Sequence, residues 1–170
     1  MNIILIGFMG AGKTTVGALL AKRMNFNFYD TDEMITIDEK KEIVEIFDSN
    51  GEEYFRDLES KKLDEIESFN NCIFSTGGGI ILREENRKIL QRNFSVYLKA
   101  SYEIIFERIK QDSSRPLLNT ENPYLTGLEI FNSRKNIYES FQFSVETDNI
   151  NPELVAEKIY SLYKDENEKN

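Results

Sequence analysis

The sequence predicts an α/β fold with a mainly parallel sheet, and three observations carry that prediction. A continuous aliphatic run, Ile3-Ile4-Leu5-Ile6, breaks into Gly7-Phe8-Met9-Gly10-Ala11-Gly12-Lys13-Thr14, which has the G-x-x-x-x-G-K-[ST] spacing of a phosphate-binding loop. Directly behind it, Val16, Leu19, Leu20 and Met24 recur at helical spacing. From there to the end of the chain, strand-like and helix-like segments alternate, as they do in βαβ units.

In order, the first strand is expected over roughly 2–6 and the first helix over roughly 13–24. A second strand, about 26–29, ends at Asp30-Thr31-Asp32 and leads into a helical stretch. The segment from about 42 to 68 reads as helical and highly charged, interrupted near Asp48-Ser49-Asn50-Gly51. A third strand over 72–75 runs into Thr76-Gly77-Gly78-Gly79, and a fourth covers about 94–98. A helix over about 102–110 precedes a polar stretch, 110–122, that contains Arg115-Pro116. Another helix is expected over about 124–139, a fifth strand near 143–145, and a last helix from Pro152, with the polar tail from Lys164 fraying. With 170 residues, no repeats and no long linker, the chain reads as one domain.

The phosphate-binding loop states its own chemistry. Its glycines let successive N–H groups face a phosphate chain, and the following helix adds its positive end. Lys13 reaches the β- and γ-phosphates of a nucleoside triphosphate, and the Thr14 hydroxyl is placed for Mg²⁺. The formal net charge of −9 argues against nucleic acid or an anionic membrane surface as partner. Anionic ligands must therefore be held by a few placed arginines and lysines. The single cysteine, Cys72, lies in a strand-like run and reads as a buried, inert thiol. The chain has no histidine, so imidazole chemistry is excluded. No apolar run approaches the ~20 residues of a membrane span, and the functional loop begins too early for a leader, so a cytoplasmic protein is expected.

Asp30-Thr31-Asp32 stands at the carboxyl end of a strand, where ligands collect on a parallel sheet. Two acids around a threonine exceed what capping the next helix requires, although Thr31 or Asp32 could serve as the cap. The strand ending at Thr76 has no acid at its tip, so Asp30 is the candidate to support a metal. Gly77-Gly78-Gly79 would let backbone N–H groups approach a ligand closely. Arg56 has Glu52, Glu53 and Glu59 at i±3 or i±4, so spacing alone leaves it as a member of a surface salt-bridge ladder. Arg134 has Ile130, Phe131, Ile137 and Tyr138 as its helical neighbours, which places its guanidinium on a buried face in need of an anion. Arg115 could be a solvated loop residue or part of a lid over the γ-phosphate. Arg108 is open between helix surface and nucleotide contact.

Taken together, G-F-M-G-A-G-K-T, D-T-D at 30–32, I-F at 46–47, G-E-x-x-F-R-x-x-E at 51–59, G-G-G at 77–79, R-P-L-L at 115–118 and Arg134 resemble the shikimate kinase family in order and spacing, over residues 2 to about 160. The resemblance implies a nucleoside-monophosphate-kinase-like P-loop kinase fold. That fold has three αβα layers around a five-stranded parallel sheet, with a substrate-binding segment at about 31–60 and a lid at about 110–123. It implies transfer of the γ-phosphoryl group of ATP to the 3-hydroxyl of shikimate, with ATP as co-substrate, one Mg²⁺ per subunit and a monomeric enzyme. On the matching positions, Gly10, Ala11, Gly12, Lys13, Thr14, Thr15, Arg108 and Arg115 would bind ATP, with Arg108 against the adenine. Thr14 and Asp30 would hold Mg²⁺. Asp32 would bind the shikimate hydroxyls and accept the proton, while Lys13 and Arg115 would neutralise the transferred phosphoryl group. Arg56 and Arg134 would grip the shikimate carboxylate, with Glu59 orienting Arg56. Phe47 and Phe55 would wall the pocket, and Gly77, Gly78 and Gly79 would complete it.

The chain departs from the family pattern in three places. Glu39-Lys40-Lys41-Glu42-Ile43 stands where relatives often carry a glycine, Asn136 replaces a common proline, and 148–152 offers no arginine to the base. Two other readings of the residues are a related gluconate or nucleoside-monophosphate kinase and a non-catalytic nucleotide-binding module. The arginines with Asp32 speak against the first, and intact Lys13, Asp32 and Arg115 against the second.

Overall fold

The computed structural model describes residues 1–112 and 115–168. Serines 113 and 114, which fall within the expected lid, and residues 169–170 of the expected frayed tail lie outside the described residues.

The chain runs β1 (Ile3–Ile6), α1 (Lys13–Met24), β2 (Asn27–Asp30), α2 (Thr31–Glu39), α3 (Ile43–Ile66), β3 (Cys72–Ser75), α4 (Glu84–Arg92), β4 (Phe94–Lys99), α5 (Tyr102–Ile109), a 3-10 turn (Pro116–Leu118), α6 (Pro123–Glu139), β5 (Phe143–Glu146) and α7 (Pro152–Asn167). The strands form one parallel sheet in the order β2-β3-β1-β4-β5. In the central strand β1, Ile3 and Leu5 face one side, and Ile4 and Ile6 the other. Ile3 and Leu5 pack with Val16 and Leu20 of α1 and Val155 and Ile159 of α7. Ile4 and Ile6 pack with Leu63 and Ile66 of α3, Leu90 of α4, Ile105 of α5, and Phe131 and Tyr138 of α6. Burial on both faces explains the unbroken aliphatic sequence of β1.

Helix starts follow their side chains. Asn122 and Asn151 cap α6 and α7 by accepting from Leu125 N–H (3.1 Å) and Glu153 N–H (2.9 Å), each with proline in the first turn. The expected interruption of α3 is a kink at Gly51, whose φ of 83° and ψ of 172° are non-helical. The expected change of turn near 39–43 falls on Lys40, which ends α2 in the left-handed conformation at φ 53°, where glycine is the unstrained residue.

Four expectations need correction. Helix α4 was not foreseen, because Glu84–Arg92 is almost wholly polar and buries only Asn86, Ile89 and Leu90. Helix α7 continues through Asn167, so the tail from Lys164 is helical rather than frayed at that point. The cap of α2 is neither Thr31 nor Asp32 but Asp30, whose Oδ1 accepts from Asp32 N–H at 3.0 Å. Strand β2 begins one residue later than expected and includes Asp30. Cys72 is buried at the start of β3, and burial pushes its thiol up, in keeping with an inert residue.

Candidate active site

The loop between β1 and α1 sits at the carboxyl edge of the central strand. Gly10 (φ 76°) and Gly12 (φ 95°) adopt the left-handed backbone that the curl requires. At Gly10 there is also no room for a side chain, since a Cβ would stand 2.6 Å from Ile109 Cγ2. Gly10, Gly12, Lys13, Thr14 and Thr15 line a cavity of about 530 Å³, with Asp30, Asp32, Arg108 and Arg115 around the same space. Ala11 departs from the expected set: it is buried, absent from the lining, and its N–H is spent on Phe8 O at 3.2 Å.

Lys13 Nζ donates to Gly7 O (2.8 Å) and Phe8 O (2.9 Å), so the ammonium is parked on its own loop. Burial lowers the lysine to about 8, only partly countered by Asp32 and Asp30. Thr14 Oγ1 donates to Asp30 Oδ2 at 2.8 Å and lies 3.3 Å from Ser75 Oγ. The tip of β3 thus presents a hydroxyl where an acid is absent, and Asp30 supplies the carboxylate. Arg108 donates to Gly10 O at 3.0 Å, and Arg115 Nε to Asp112 Oδ2 at 2.9 Å.

A smaller recess adjoins the cavity. It is lined by Phe47, Phe55, Arg56, Glu59, the three glycines 77–79 and Arg134. Met9, Asp32, Ile43, Gly78 and Arg115 line both spaces and form their common wall. Asp32 is the chemically notable member. Its Oδ1 is buried and accepts no hydrogen bond from the described residues, and burial, reinforced by Asp30, pushes its carboxyl up to about 6.

Arg56 resolves the question that spacing left open. It pairs with Glu52 (2.7 Å) and Glu59 (2.5 Å), while Glu53 pairs with Arg83, yet Arg56 is only 5 % exposed. The ladder is real, and the arginine stands at its buried end. Burial works against the Arg56 charge, but Glu59 and Glu52 more than offset it. Glu59 is fully buried. Desolvation pushes it up to about 7 against the pull of Arg56, with Asp32 adding to the rise, and its Oε1 has no hydrogen-bond partner among the described residues.

The glycine triplet has a different basis from the one its sequence suggests. None of the three has positive φ. A Cβ on Gly79 would fall on the Arg56 guanidinium, and one on Gly77 would strike Glu59 Oε1 and stand 2.7 Å from Asp32 Oδ1. The triplet makes room for charged side chains. The Gly78 carbonyl accepts from Arg134 Nη1 at 3.1 Å and from Tyr138 Oη at 2.6 Å. Arg134 is buried as predicted, with its guanidinium 6.0 Å from the Phe8 ring centre. Among the described residues it makes no ion pair, and burial lowers its pKa. Sequence reasoning missed Met9 and Ile43 in the common wall, since both read as ordinary apolar residues. It treated Tyr138 as core only.

Five cations, Lys13, Arg56, Arg108, Arg115 and Arg134, therefore meet around two connected spaces in a chain of net charge −9. Such a site suits two anionic ligands held side by side with a carboxylate between them.

Comparison with known proteins shows the family. The family model described as "Shikimate kinase" matches residues 9–164. A shikimate kinase of Thermodesulfovibrio yellowstonii is 45% identical over 164 residues, covering 96% of this chain and 95% of the relative. The solved shikimate kinase from Acinetobacter baumannii in complex with shikimate superposes with a TM-score of 0.92 at 37% identity, covering 97% of this chain and 93% of that one. The shikimate kinase from Aquifex aeolicus gives a TM-score of 0.85 at 36% identity, covering 96% of each chain. In sequence and fold, over nearly its whole length, the chain belongs to the shikimate kinase family.

Proposed function

We propose that the larger cavity receives the triphosphate of ATP, the smaller recess receives shikimate, and the two meet at Asp32. The activity served, transfer of the γ-phosphoryl group of ATP to the 3-hydroxyl of shikimate, is that of the family. The observation that carries the placement is the common wall. A carboxylate with a buried, unpartnered oxygen stands where the phosphate loop and the arginine-lined recess join.

Backbone N–H groups of the loop around Gly10, Gly12, Thr14 and Thr15 hold the phosphates, with Ala11 shaping the turn, and Arg108 lies against the adenine. On arrival of the triphosphate, Lys13 leaves the Gly7 and Phe8 carbonyls for the β- and γ-phosphates. Arg56 and Arg134 take the shikimate carboxylate, the latter through N–H groups not committed to Gly78 O. Phe47 and Phe55 wall the ring, and Gly77, Gly78 and Gly79 close the recess. Asp32 orients the 3-hydroxyl and takes its proton as the oxygen bonds to phosphorus and the bridge to ADP breaks. Lys13 and Arg115 face the charge on the transferring group. Holding donor and acceptor oxygens in line does most of the work, because the transition state is loose.

The donor set fits Mg²⁺. Thr14 Oγ1 and Asp30 Oδ2 are hard oxygens 2.8 Å apart at the edge of the phosphate loop. No group of three or more acidic or cysteine side chains forms a closed cage among the described residues. Mg²⁺ is usually held by one or two protein groups together with phosphates and water. When bound, the ion neutralises phosphate charge and orients the chain. The whole chain acts as a single kinase domain, in which 31–60 carries the substrate and 110–123 closes as a lid to exclude water. No described helix is long and apolar enough to cross a membrane; we place the enzyme in the cytoplasm as a monomer without nucleic-acid or membrane partners.

Calorimetric titration of Arg56→Met and Arg134→Met with shikimate tests the assignment. Each variant should lose on the order of 2–4 kcal/mol of shikimate binding while ATP binding stays unchanged. Variants that bind shikimate as the parent does would contradict it.

A further inference from the structure

We propose that Tyr138 is a positioning residue for substrate binding, acting through the Gly78 carbonyl on Arg134 and on the Gly79 N–H. The inference rests on the reading that Arg134 meets the substrate carboxylate.

Tyr138 follows Arg134 by one helical turn in α6, so the two side chains leave the helix on the same face. Both end on the same atom, the Gly78 oxygen, at 2.6 Å for the phenol and 3.1 Å for the guanidinium. The phenol cannot drift, because its ring is buried and stacked on Tyr97 of β4, with centroids 4.9 Å apart and planes 7° from parallel. Burial pushes the Tyr138 hydroxyl up, so it remains a neutral donor in the ordinary pH range.

Two consequences follow for the recess. The carbonyl, fixed by the shorter bond, is the anchor that holds one arm of the Arg134 fork. With that arm engaged, the plane of the guanidinium is set, and its other N–H groups keep a fixed direction toward an incoming carboxylate. In addition, the peptide between Gly78 and Gly79 is planar and trans, so a carbonyl held toward Tyr138 turns the Gly79 N–H the opposite way. Gly79 lines the recess, whereas Tyr138 does not. The tyrosine therefore works from the core without touching the ligand, joining the central sheet to the part of the site that reads the acid group.

Tyr138→Phe keeps the stacked ring and removes one oxygen. Wild type, Tyr138→Phe, Arg134→Met and the double variant are titrated with shikimate and, separately, with a non-hydrolysable ATP analogue. KM for shikimate and for ATP is then measured for the first two. For Tyr138→Phe, shikimate affinity should fall and its KM rise by about five- to tenfold, with nucleotide affinity and ATP KM within about twofold of wild type. In the Arg134→Met background the same change should cost clearly less than it does in wild type, since the anchor then acts through the Gly79 N–H alone. Unchanged shikimate binding in Tyr138→Phe, equal loss of both ligands, or full additivity in the double variant would overturn the proposal while leaving the site reading intact. Normal shikimate binding by Arg134→Met would overturn both.

Discussion

Arg56 Nη1 and Glu59 Oε2 lie 2.5 Å apart at the base of the recess, with both side chains closed off from solvent. The pair lies one to two turns beyond the Gly51 kink, on the part of α3 that packs into the core through Leu63 and Ile66. Glu52, the second partner of Arg56, is the exposed one.

Removing Glu59 should therefore leave the buried Arg56 with only the more exposed Glu52 to offset its charge. Breaking a buried pair by deleting one partner costs about 3–5 kcal/mol. Glu59→Ala should unfold at markedly lower denaturant and bind shikimate more weakly, whereas Glu59→Gln, which keeps an acceptor for Arg56, should recover part of both. Chemical denaturation followed by shikimate titration checks this; equal behaviour of the two variants would refute it.

Gly79→Ala probes the same pair from the other side. The added methyl falls on the Arg56 guanidinium, so the arginine must leave its position. KM for shikimate should rise more than about tenfold, the loss of one charge-assisted contact, with KM for ATP unchanged. Steady-state kinetics with each substrate varied in turn reads the split.

How much of this was legible beforehand differs by residue. The phosphate loop announced itself because its glycines, its lysine and the strand and helix around it are fixed by one function. Arg134 was legible because its helical neighbours are apolar. Arg56 was not, since i±3 and i±4 carboxylates look the same on a buried face as on a solvated one, and only the packing of α3 decides between them. Helix α4 escaped because only Ile89 and Leu90 of its nine residues are apolar, too few to mark a buried face in the sequence. Tyr138 escaped because an aromatic among apolar residues reads as core, and its hydroxyl acquires meaning only once Gly78 is brought beneath it by the fold.

Lys13 sets an alkaline limit. In the free protein its charge is lost as pH rises through about 8, because burial favours the neutral amine. Since kcat/KM reports groups of the free enzyme, kcat/KM for ATP should fall above about pH 8. Lys13→Arg keeps its charge, so whatever activity it retains should show no such limb. A profile flat to pH 9.5 in wild type would contradict the lowering of Lys13 by burial.

Asp32 sets a stability signature of opposite sign. Its folded value of about 6 lies above its ordinary 3.8, so between these the native state holds a proton that the unfolded chain has released. Its stabilising contribution is full below about pH 3.8 and is lost as pH rises through about 6. Relative to Asp32→Asn, the ligand-free wild type should lose stability over that window and then level off. Parallel curves from urea unfolding across it would contradict the raised Asp32 carboxyl. The asparagine variant should also turn over shikimate very slowly, for want of a proton acceptor.

The most direct test of the central claim is ADP formation by the purified protein with Mg-ATP, measured with shikimate, gluconate or AMP as acceptor. ADP formation that depends on shikimate alone, and is abolished in Asp32→Ala, is the predicted result. ATP binding without any acceptor-dependent ADP, or turnover that follows gluconate or AMP, would contradict it.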